Sequence, residues 1–221
     1  MNILIFGATG MVGQGVLREC LLAPDVERVV AVGRTATGLN DPKLHDLVHK
    51  DMVDYTAIAP QLQGFDACFF CLGVSSFRMA EADYKRITYD ITLAAATVLA
   101  RLNPGMTFTY VTGAGTDSSA QGRVMWARVK GATENALLAL PFKAAYMFRP
   151  GMIEPMHGVR SKTKVYDAAI SVLGPVLGLA RRVWPDKITT TEKVGRAMLA
   201  VARHGAPKTV LDPVDINALG A

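Results

Sequence analysis

Three glycines recur at intervals of three residues near the start of the chain, at Gly7, Gly10 and Gly13. A short apolar run precedes them and a segment of helical periodicity follows, which is the context of a phosphate-binding turn. In such a turn Gly7 permits the sharp bend, Gly10 lets a pyrophosphate approach the backbone, and Gly13 allows the helix to pack closely on the strand. The free N–H groups at the helix N-terminus then face the anion. The spacing therefore predicts dinucleotide binding, with a turn one residue longer than the common G-x-G-x-x-G form; the alternative is a glycine-rich turn without a ligand.

The residues after the second predicted strand bear on which dinucleotide would bind. This strand ends in Val32-Gly33-Arg34-Thr35, where NAD-binding chains carry a carboxylate for the ribose 2′-hydroxyl. A guanidinium matches the geometry of a phosphate, so Arg34, with Thr35 as a second donor, favours NADP over NAD. The alternative is a solvated surface arginine. Asp51 and Gly73 follow the third and fourth strands, where they would adjoin the adenine and the cofactor or form ordinary turns.

Short apolar runs alternate along the chain with longer segments of helical period, a pattern typical of an α/β fold with a parallel sheet. Strands are predicted at residues 3–6, 28–32, 44–49, 67–71, 107–111, 144–148 and 209–211. Helices are predicted at residues 11–22, 55–62, 80–102 and 121–140, and a further helix is predicted from a capping box at Thr189 and Glu192 to His204, with Gly205 beyond it. No repeat or linker divides the chain. We therefore expect residues 1–221 to form a single doubly wound, mostly parallel Rossmann domain, in which residues 150–221 contribute the substrate-side cap.

Composition excludes several classes of protein. The chain has 221 residues, of which 50% are hydrophobic and 19% charged, so a disordered chain is excluded. The net charge is +5, but no run of basic residues marks a nucleic-acid surface. Three cysteines are too few for a disulfide framework, which favours a reducing compartment such as the cytoplasm. The apolar stretch at 168–180 is interrupted by glycine and proline, so we expect no membrane span, although residues 172–179 are a candidate surface for self-association or membrane contact.

Several motifs occur together in an order that resembles the atypical short-chain dehydrogenase/reductases, over about residues 1–210. They are the glycine turn, Arg34, Cys71-Leu72-Gly73, Trp126-Ala127-Arg128-Val129-Lys130-Gly131 and Phe148-Arg149-Pro150-Gly151. Within that superfamily the chain is similar to the Tat-interactive-protein-like and NmrA-like branches. The resemblance implies an NADP-type cofactor on a Rossmann sheet. In catalytic members it also implies hydride transfer with a Tyr-x-x-x-Lys pair and a Ser or Thr at the exit of the fifth strand.

Carried over residue by residue, the resemblance places Lys130 at the lysine position and Trp126 at the tyrosine position. Residues four apart share a helix face, so the lysine can lower the pKa of the tyrosine and bind the nicotinamide ribose. An indole N–H is a donor only, so Trp126 cannot perform the usual acid–base step. Thr112 is the best match for the hydroxyl residue, with Thr116, Ser118 and Ser119 as competitors. Water, one of these hydroxyls or His157 remains as the proton source.

The resemblance and the residue patterns together predict the contacts of the dinucleotide. The expected residues are Gly7, Thr9, Gly10, Met11, Val12, Gly13, Arg34, Thr35, Asp51, Cys71, Leu72, Gly73, Lys130 and Pro150. The leading hypothesis is an NADP-dependent oxidoreductase that acts on an unidentified small carbonyl or hydroxyl compound. The second is a non-catalytic NADP-binding regulator or redox sensor that acts through a protein partner. A homodimer is compatible with either hypothesis.

Other combinations of reactive residues carry less weight. Cys68 and Cys71 have redox-motif spacing, but a strand would direct them to opposite faces, so two buried structural thiols are expected. The histidines, at 45, 49, 157 and 204, do not cluster at ligand spacing, and no metal site is predicted. Residues 152–184 are expected to line the substrate side, with Met152, Ile153, Met156 and Trp184 as apolar candidates and Arg149, Arg160 and Lys162 as cationic ones.

Overall fold

Seven strands form one parallel sheet at the centre of the computed structural model, which describes residues 1–159 and 187–221. The sheet strands are β1 (Asn2–Phe6), β2 (Arg28–Gly33), β3 (Leu44–Val48), β4 (Ala67–Phe70), β5 (Thr107–Val111), β6 (Ala144–Phe148) and β9 (Val210–Leu211). Their order in the sheet is β3-β2-β1-β4-β5-β6-β9, and every neighbouring pair is parallel. The order reverses between β1 and β4, which is the doubly wound Rossmann arrangement. The predicted α/β fold class is confirmed.

Helices cover both faces of this sheet. The helices among the described residues are α1 (Met11–Leu22), a 3₁₀ helix (Thr56–Leu62), α2 (Glu81–Lys85), a π-helical turn (Arg86–Asp90), α3 (Ile91–Leu102), α4 (Met125–Leu138), α5 (Thr191–His204) and α6 (Pro213–Leu219). A second, two-stranded parallel sheet pairs β7 (Met152–Glu154) with β8 (Ile188–Thr190). None of the helices in the described part of the chain combines the length and hydropathy needed to span a membrane.

The central strands β1 and β4 are almost entirely apolar because both faces of the sheet are buried. In β1, Ile3 and Ile5 pack into a core with α1, α5 and α6, whereas Leu4 and Phe6 pack into a second core with α3 and α4. All four side chains are fully buried. Successive residues of a strand point to opposite faces, so one apolar run supplies both cores.

Several predicted boundaries differ from the structure for local reasons. The helix predicted at 55–62 is a 3₁₀ helix that contains Pro60, which cannot donate a backbone hydrogen bond. The helix predicted from residue 121 begins at Met125, because the Asp117 carboxylate accepts hydrogen bonds from the amides of Ser119 and Gly122 and holds these residues in a turn.

The start of α5 was predicted one residue too early. Thr189 lies within β8, and the N-cap is Thr190, whose hydroxyl accepts a hydrogen bond from the Lys193 amide at 3.1 Å. The predicted end is confirmed, since α5 finishes at His204 and Gly205 has a φ of +73°. The apolar stretch 168–180 and residues 160, 162 and 184 lie outside the described residues.

Candidate functional site

The glycine turn connects β1 to α1 at the carboxyl edge of the sheet. Gly7 has a φ of +79°. A Cβ at this position would lie 2.6 Å from the amide nitrogen of Leu72, which belongs to the segment after β4. A Cβ at Gly13 would lie 2.1 Å from the Gly7 carbonyl oxygen. These two glycines are therefore required by close backbone packing. A Cβ at Gly10 would meet only the Gly7 carbonyl oxygen, at 3.3 Å, so this position borders open space.

That open space belongs to a cleft of 1260 Å³ across the carboxyl ends of the strands. It lies at the point where the strand order reverses, which is where open α/β sheets bind ligands. Of the residues predicted to contact a dinucleotide, the cleft brings together Gly7, Thr9, Gly10, Arg34, Thr35, Asp51, Cys71, Leu72 and Gly73. The lining of this cleft does not include Met11, Val12, Gly13, Lys130 or Pro150.

The charged lining of the cleft is mostly cationic. Arg34, Lys50 and Arg86 are exposed residues of this lining, and none of them forms an ion pair with a described carboxylate. Asp51 is the carboxylate in the lining, and its Oδ1 accepts hydrogen bonds from the amides of Val53 and Asp54. Asp51 therefore holds a turn and does not pair with the cations of the lining. Arg34, Lys50 and Arg86 remain available to an anionic ligand.

Sequence reasoning had missed two of these cations. Lys50 directly follows the third strand and could have been found there, because β2 and β3 are neighbours and their carboxyl ends meet. Arg86 stands on the π-helical turn between α2 and α3, together with Ile87, which also lines the cleft. A π-helical insertion changes which residues face inward, and the helical periodicity of the sequence gave no sign of it.

The two cysteines near the cleft are free thiols. Cys68 lies within β4 and Cys71 directly after it, since the strand ends at Phe70, one residue earlier than predicted. Burial raises the pKa of Cys71 to about 12 and raises that of Cys68 well above its usual range. Both thiols are therefore protonated near neutral pH, which does not suit a redox pair.

Lys130 lies on α4 with its side chain directed at the end of β5. Its Nζ donates a hydrogen bond to the Thr112 carbonyl oxygen at 2.6 Å. The residue is partly exposed, but its ammonium group is desolvated, which lowers the pKa of Lys130 to about 8. The negative charge of Glu134, one helical turn further on, acts in the opposite direction and is the smaller effect.

The Thr112 hydroxyl is engaged within the protein. It lies 2.6 Å from Glu134 Oε1 and 3.0 Å from the Phe148 carbonyl oxygen, and the residue is 6% exposed. Its single proton therefore has an acceptor on β6 or α4. This geometry makes Thr112 a link between β5, β6 and α4.

A buried ion pair completes this link. The Glu134 carboxylate is 1% exposed and accepts three hydrogen bonds from the Arg149 guanidinium. Nε donates to the two oxygens at 3.0 Å and 3.2 Å, and Nη2 donates to Oε2. The same Nη2 donates to the Ser118 hydroxyl at 2.6 Å. The hydrogen bond with Glu134 raises the pKa of Arg149, so the guanidinium stays charged. The exit loops of β5 and β6 are thereby fixed around the Lys130 ammonium.

The structure also places the remaining candidates for proton transfer, Trp126, Thr116, Ser119 and His157. Trp126 packs against the loop after β5, where a Cβ at Gly115 would lie 3.5 Å from the indole Cη2. The Thr116 hydroxyl donates to the Gly113 carbonyl at 2.8 Å, and the Ser119 hydroxyl donates to Asp117 at 2.7 Å. His157 Nε2 lies 2.8 Å from Glu192 Oε2. Within residues 1–159 and 187–221, no three His, Cys, Asp or Glu side chains form a metal-binding group.

Two named proteins are related to this chain in sequence. The rat protein HTATIP2 is 28% identical over 155 residues, which cover 69% of this chain and 62% of the relative, so the chain spans less than two thirds of that protein. A protein named fmp52-2, mitochondrial, from Aspergillus oryzae is 26% identical over 226 residues, covering 98% of this chain and 95% of the relative.

Solved structures share the fold at low sequence identity. An oxidoreductase of the short-chain dehydrogenase/reductase family from Burkholderia thailandensis superposes with a TM-score of 0.69 at 18% identity, covering 100% of this chain and 93% of that one. MoeE5 in complex with UDP-glucose and NAD superposes with a TM-score of 0.66 at 14% identity, covering 96% of this chain and 75% of that one.

The family model described as the NAD dependent epimerase/dehydratase family matches residues 3–121, more than half of the chain. This match includes β1 to β5 and the glycine turn. With the Rossmann sheet and the relatives, it confirms the resemblance to atypical short-chain dehydrogenase/reductases. The chain is a member of the NAD dependent epimerase/dehydratase family.

Proposed function

We propose that this protein is an NADP-dependent oxidoreductase that acts on a small carbonyl or hydroxyl compound. The observation that carries the proposal is the cleft at the carboxyl edge, in which the glycine turn faces three cations without carboxylate partners. A dinucleotide with an additional phosphate supplies the complementary negative charge. The fold and the family support the same class of ligand.

The preference for NADP rests on two neighbouring cations. In the sheet, Gly33 of β2 pairs with Val48 of β3, and the His49 amide donates to the Gly33 carbonyl at 2.8 Å. Arg34 and Lys50 therefore follow adjacent strand ends at the same edge of the cleft. A guanidinium and an ammonium at this position suit a ribose 2′-phosphate, whereas a 2′-hydroxyl calls for a carboxylate. We assign Arg34 and Lys50 to the phosphate, and the open side of Gly10 to the pyrophosphate.

The residues at the exit of β5 receive different roles. Lys130 is the residue that would bind the nicotinamide ribose, as in the family to which the chain belongs. Thr112 is better suited to holding the loop than to donating a proton, because its hydroxyl is engaged by Glu134 and Phe148. The bound cofactor would supply or accept a hydride, and this chain's residues would orient the substrate and transfer the proton.

Consumption of NADPH with a panel of aldehydes, ketones and quinones is the experiment that tests this proposal. We expect a decrease in reduced-nicotinamide absorbance with at least one carbonyl compound, and a kcat/KM at least about tenfold higher with NADPH than with NADH, because one charge-assisted phosphate contact contributes about 1.5–3 kcal/mol. Heat-denatured protein is the control. Turnover that prefers NADH would contradict the assignment of NADP as the cofactor. Absence of turnover with every compound would contradict the proposed oxidoreductase function.

Trp126 favours a second candidate function, a regulator that binds NADP(H) without turning it over. The indole stands where catalytic relatives carry a tyrosine, and it packs against the loop after β5. A regulator would bind NADPH, consume none with the carbonyl panel, and gain no turnover in the Trp126→Tyr variant. Turnover in the unmodified protein excludes this candidate.

A further inference from the structure

Trp126 occupies the position of the usual tyrosine, so the proton-transfer step lacks its usual acid–base group. Lys130 lies one helical turn further along α4. We propose that the Lys130 ammonium is itself the acid–base group that exchanges a proton with the substrate oxygen. This inference rests on the proposed oxidoreductase function. It gives Lys130 a direct chemical role in addition to its role in binding the ribose.

The other groups near the exit of β5 do not suit this task. Aliphatic hydroxyls such as those of Thr112 and Thr116 do not titrate near neutral pH, and an indole N–H only donates. Among the described tyrosines, Tyr55, Tyr84 and Tyr110 are buried, with pKa values raised by desolvation. Tyr89 lies on the π-helical turn, where its ring contacts the Lys85 ammonium. The Tyr146 hydroxyl accepts a hydrogen bond from the Ala206 amide, far along the chain from this loop.

The Lys130 ammonium, by contrast, has protons to give. It carries three N–H groups, and the hydrogen bond seen in the structure is the one to the Thr112 carbonyl. Both oxygens of Glu134 are directed to Arg149, and one of them is also directed to Thr112, so the carboxylate is not an ion-pair partner of the lysine. The ammonium is held at the carboxyl end of β5. This strand neighbours β4, and the residues that follow β4 line the cleft, although Lys130 itself is not part of that lining.

Its surroundings favour release of the proton near neutral pH. Desolvation lowers the pKa of Lys130 to about 8, compared with an ordinary value of about 10.4. Among residues 1–159 and 187–221, the charged groups near it are Glu134 on α4, which raises the pKa, and Arg149 after β6, which is paired with Glu134. The backbone of Asp117 packs against Gly131, and its carboxylate is bound by Ser119 and Gly122. A lysine with such a pKa can donate and regain a proton at physiological pH.

In the reducing direction, the carbonyl carbon would receive a hydride from a bound reduced nicotinamide dinucleotide. The Lys130 ammonium gives one proton to the carbonyl oxygen, so that an N–H bond breaks, an O–H bond forms and a neutral amine remains. The amine then regains a proton from water. Because the ammonium is the active form in this direction, kcat should fall as the pH rises through about 8.

The first test measures the ionisation of Lys130 without any turnover. The pH titration of protein labelled with ¹³C at the lysine ε-carbon should contain a signal with a midpoint near 8 that is absent from Lys130→Met. In the exposed control variant Lys143→Arg this signal should remain. A Lys130 signal that titrates above about 10, the ordinary range of lysine, would overturn the proposal.

The second test separates this proposal from the function on which it rests. Lys130→Arg keeps a positive charge but does not titrate, so NADPH affinity should change by less than about threefold while kcat falls by about 100-fold or more. Lys143→Arg should keep both the rate and the pH profile. If Lys130→Arg keeps its rate, Lys130 is not the acid–base group although the oxidoreductase assignment stands. If the unmodified protein does not bind NADPH, the proposed function itself fails.

Discussion

Replacement of Gly13 by alanine should destabilise the fold, whereas the same change at Gly10 should leave the protein folded and impair the binding of dinucleotides. A Cβ at position 13 would lie 2.1 Å from the Gly7 carbonyl oxygen, a backbone atom that cannot move aside without displacing the turn. We expect a loss of about 3 kcal/mol or more in the free energy of unfolding, measured by urea denaturation. At Gly10 the nearest atom is 3.3 Å away, and the expected loss is about 1 kcal/mol or less.

The two variants should then differ in ligand binding as well. A methyl group at position 10 would occupy the open side of the turn, where the pyrophosphate is proposed to approach the backbone, so NADPH affinity should fall at least about tenfold. Gly105→Ala is the matched control, because a Cβ there would meet no atom within 4 Å. Equal stability of the Gly13 and Gly10 variants would contradict the packing described for the turn. Full NADPH affinity in Gly10→Ala would contradict its place at the pyrophosphate.

Arg34→Ala should remove most of the preference for NADPH. The guanidinium is exposed in the cleft and has no carboxylate partner among the described residues, so it is available for the 2′-phosphate. Hydrogen bonds to a charged group contribute about 1.5–3 kcal/mol, which corresponds to a loss of about 10- to 100-fold in NADPH affinity. Affinity for NADH, which lacks the phosphate, should change by less than about twofold.

Two further variants complete this comparison. Lys50→Ala should weaken NADPH binding in the same direction but less, because a flexible ammonium matches a phosphate less closely than a guanidinium does. Arg101→Ala removes an exposed cation at the end of α3, outside the cleft lining, and should leave both affinities unchanged. If Arg34→Ala and Arg101→Ala behave alike, Arg34 does not bind the phosphate.

The parts of the fold that could be predicted are those set by local sequence. The boundaries of α1, β5 and β6 were predicted to the residue, because each apolar run lies between clear turn or capping signals. The glycine turn was predictable for the same reason, since a strand, three glycines and a helix follow one another directly. The paired strands β7 and β8 were not, because three residues carry too short a pattern and their pairing joins distant segments.

The site was less predictable wherever it depends on tertiary contacts. The engagement of Thr112 by Glu134 joins residues 22 positions apart, and only the packing of α4 on β5 brings them together. The place of Lys50 beside Arg34 depends on the register of β2 and β3. The desolvation that lowers the pKa of Lys130 is likewise a property of the folded loop and not of the Trp-x-x-x-Lys spacing.

Calorimetric titration of the purified protein with NADPH and NADH tests most directly whether the cleft binds a dinucleotide. We expect one molecule of NADPH to bind per chain, with an affinity at least about tenfold higher than that of NADH, because the additional phosphate meets Arg34 and Lys50. Equal affinities would remove the role assigned to these two cations. Absence of binding by both nucleotides would contradict the claim itself, and the glycine turn would then serve only the packing of α1 against β1.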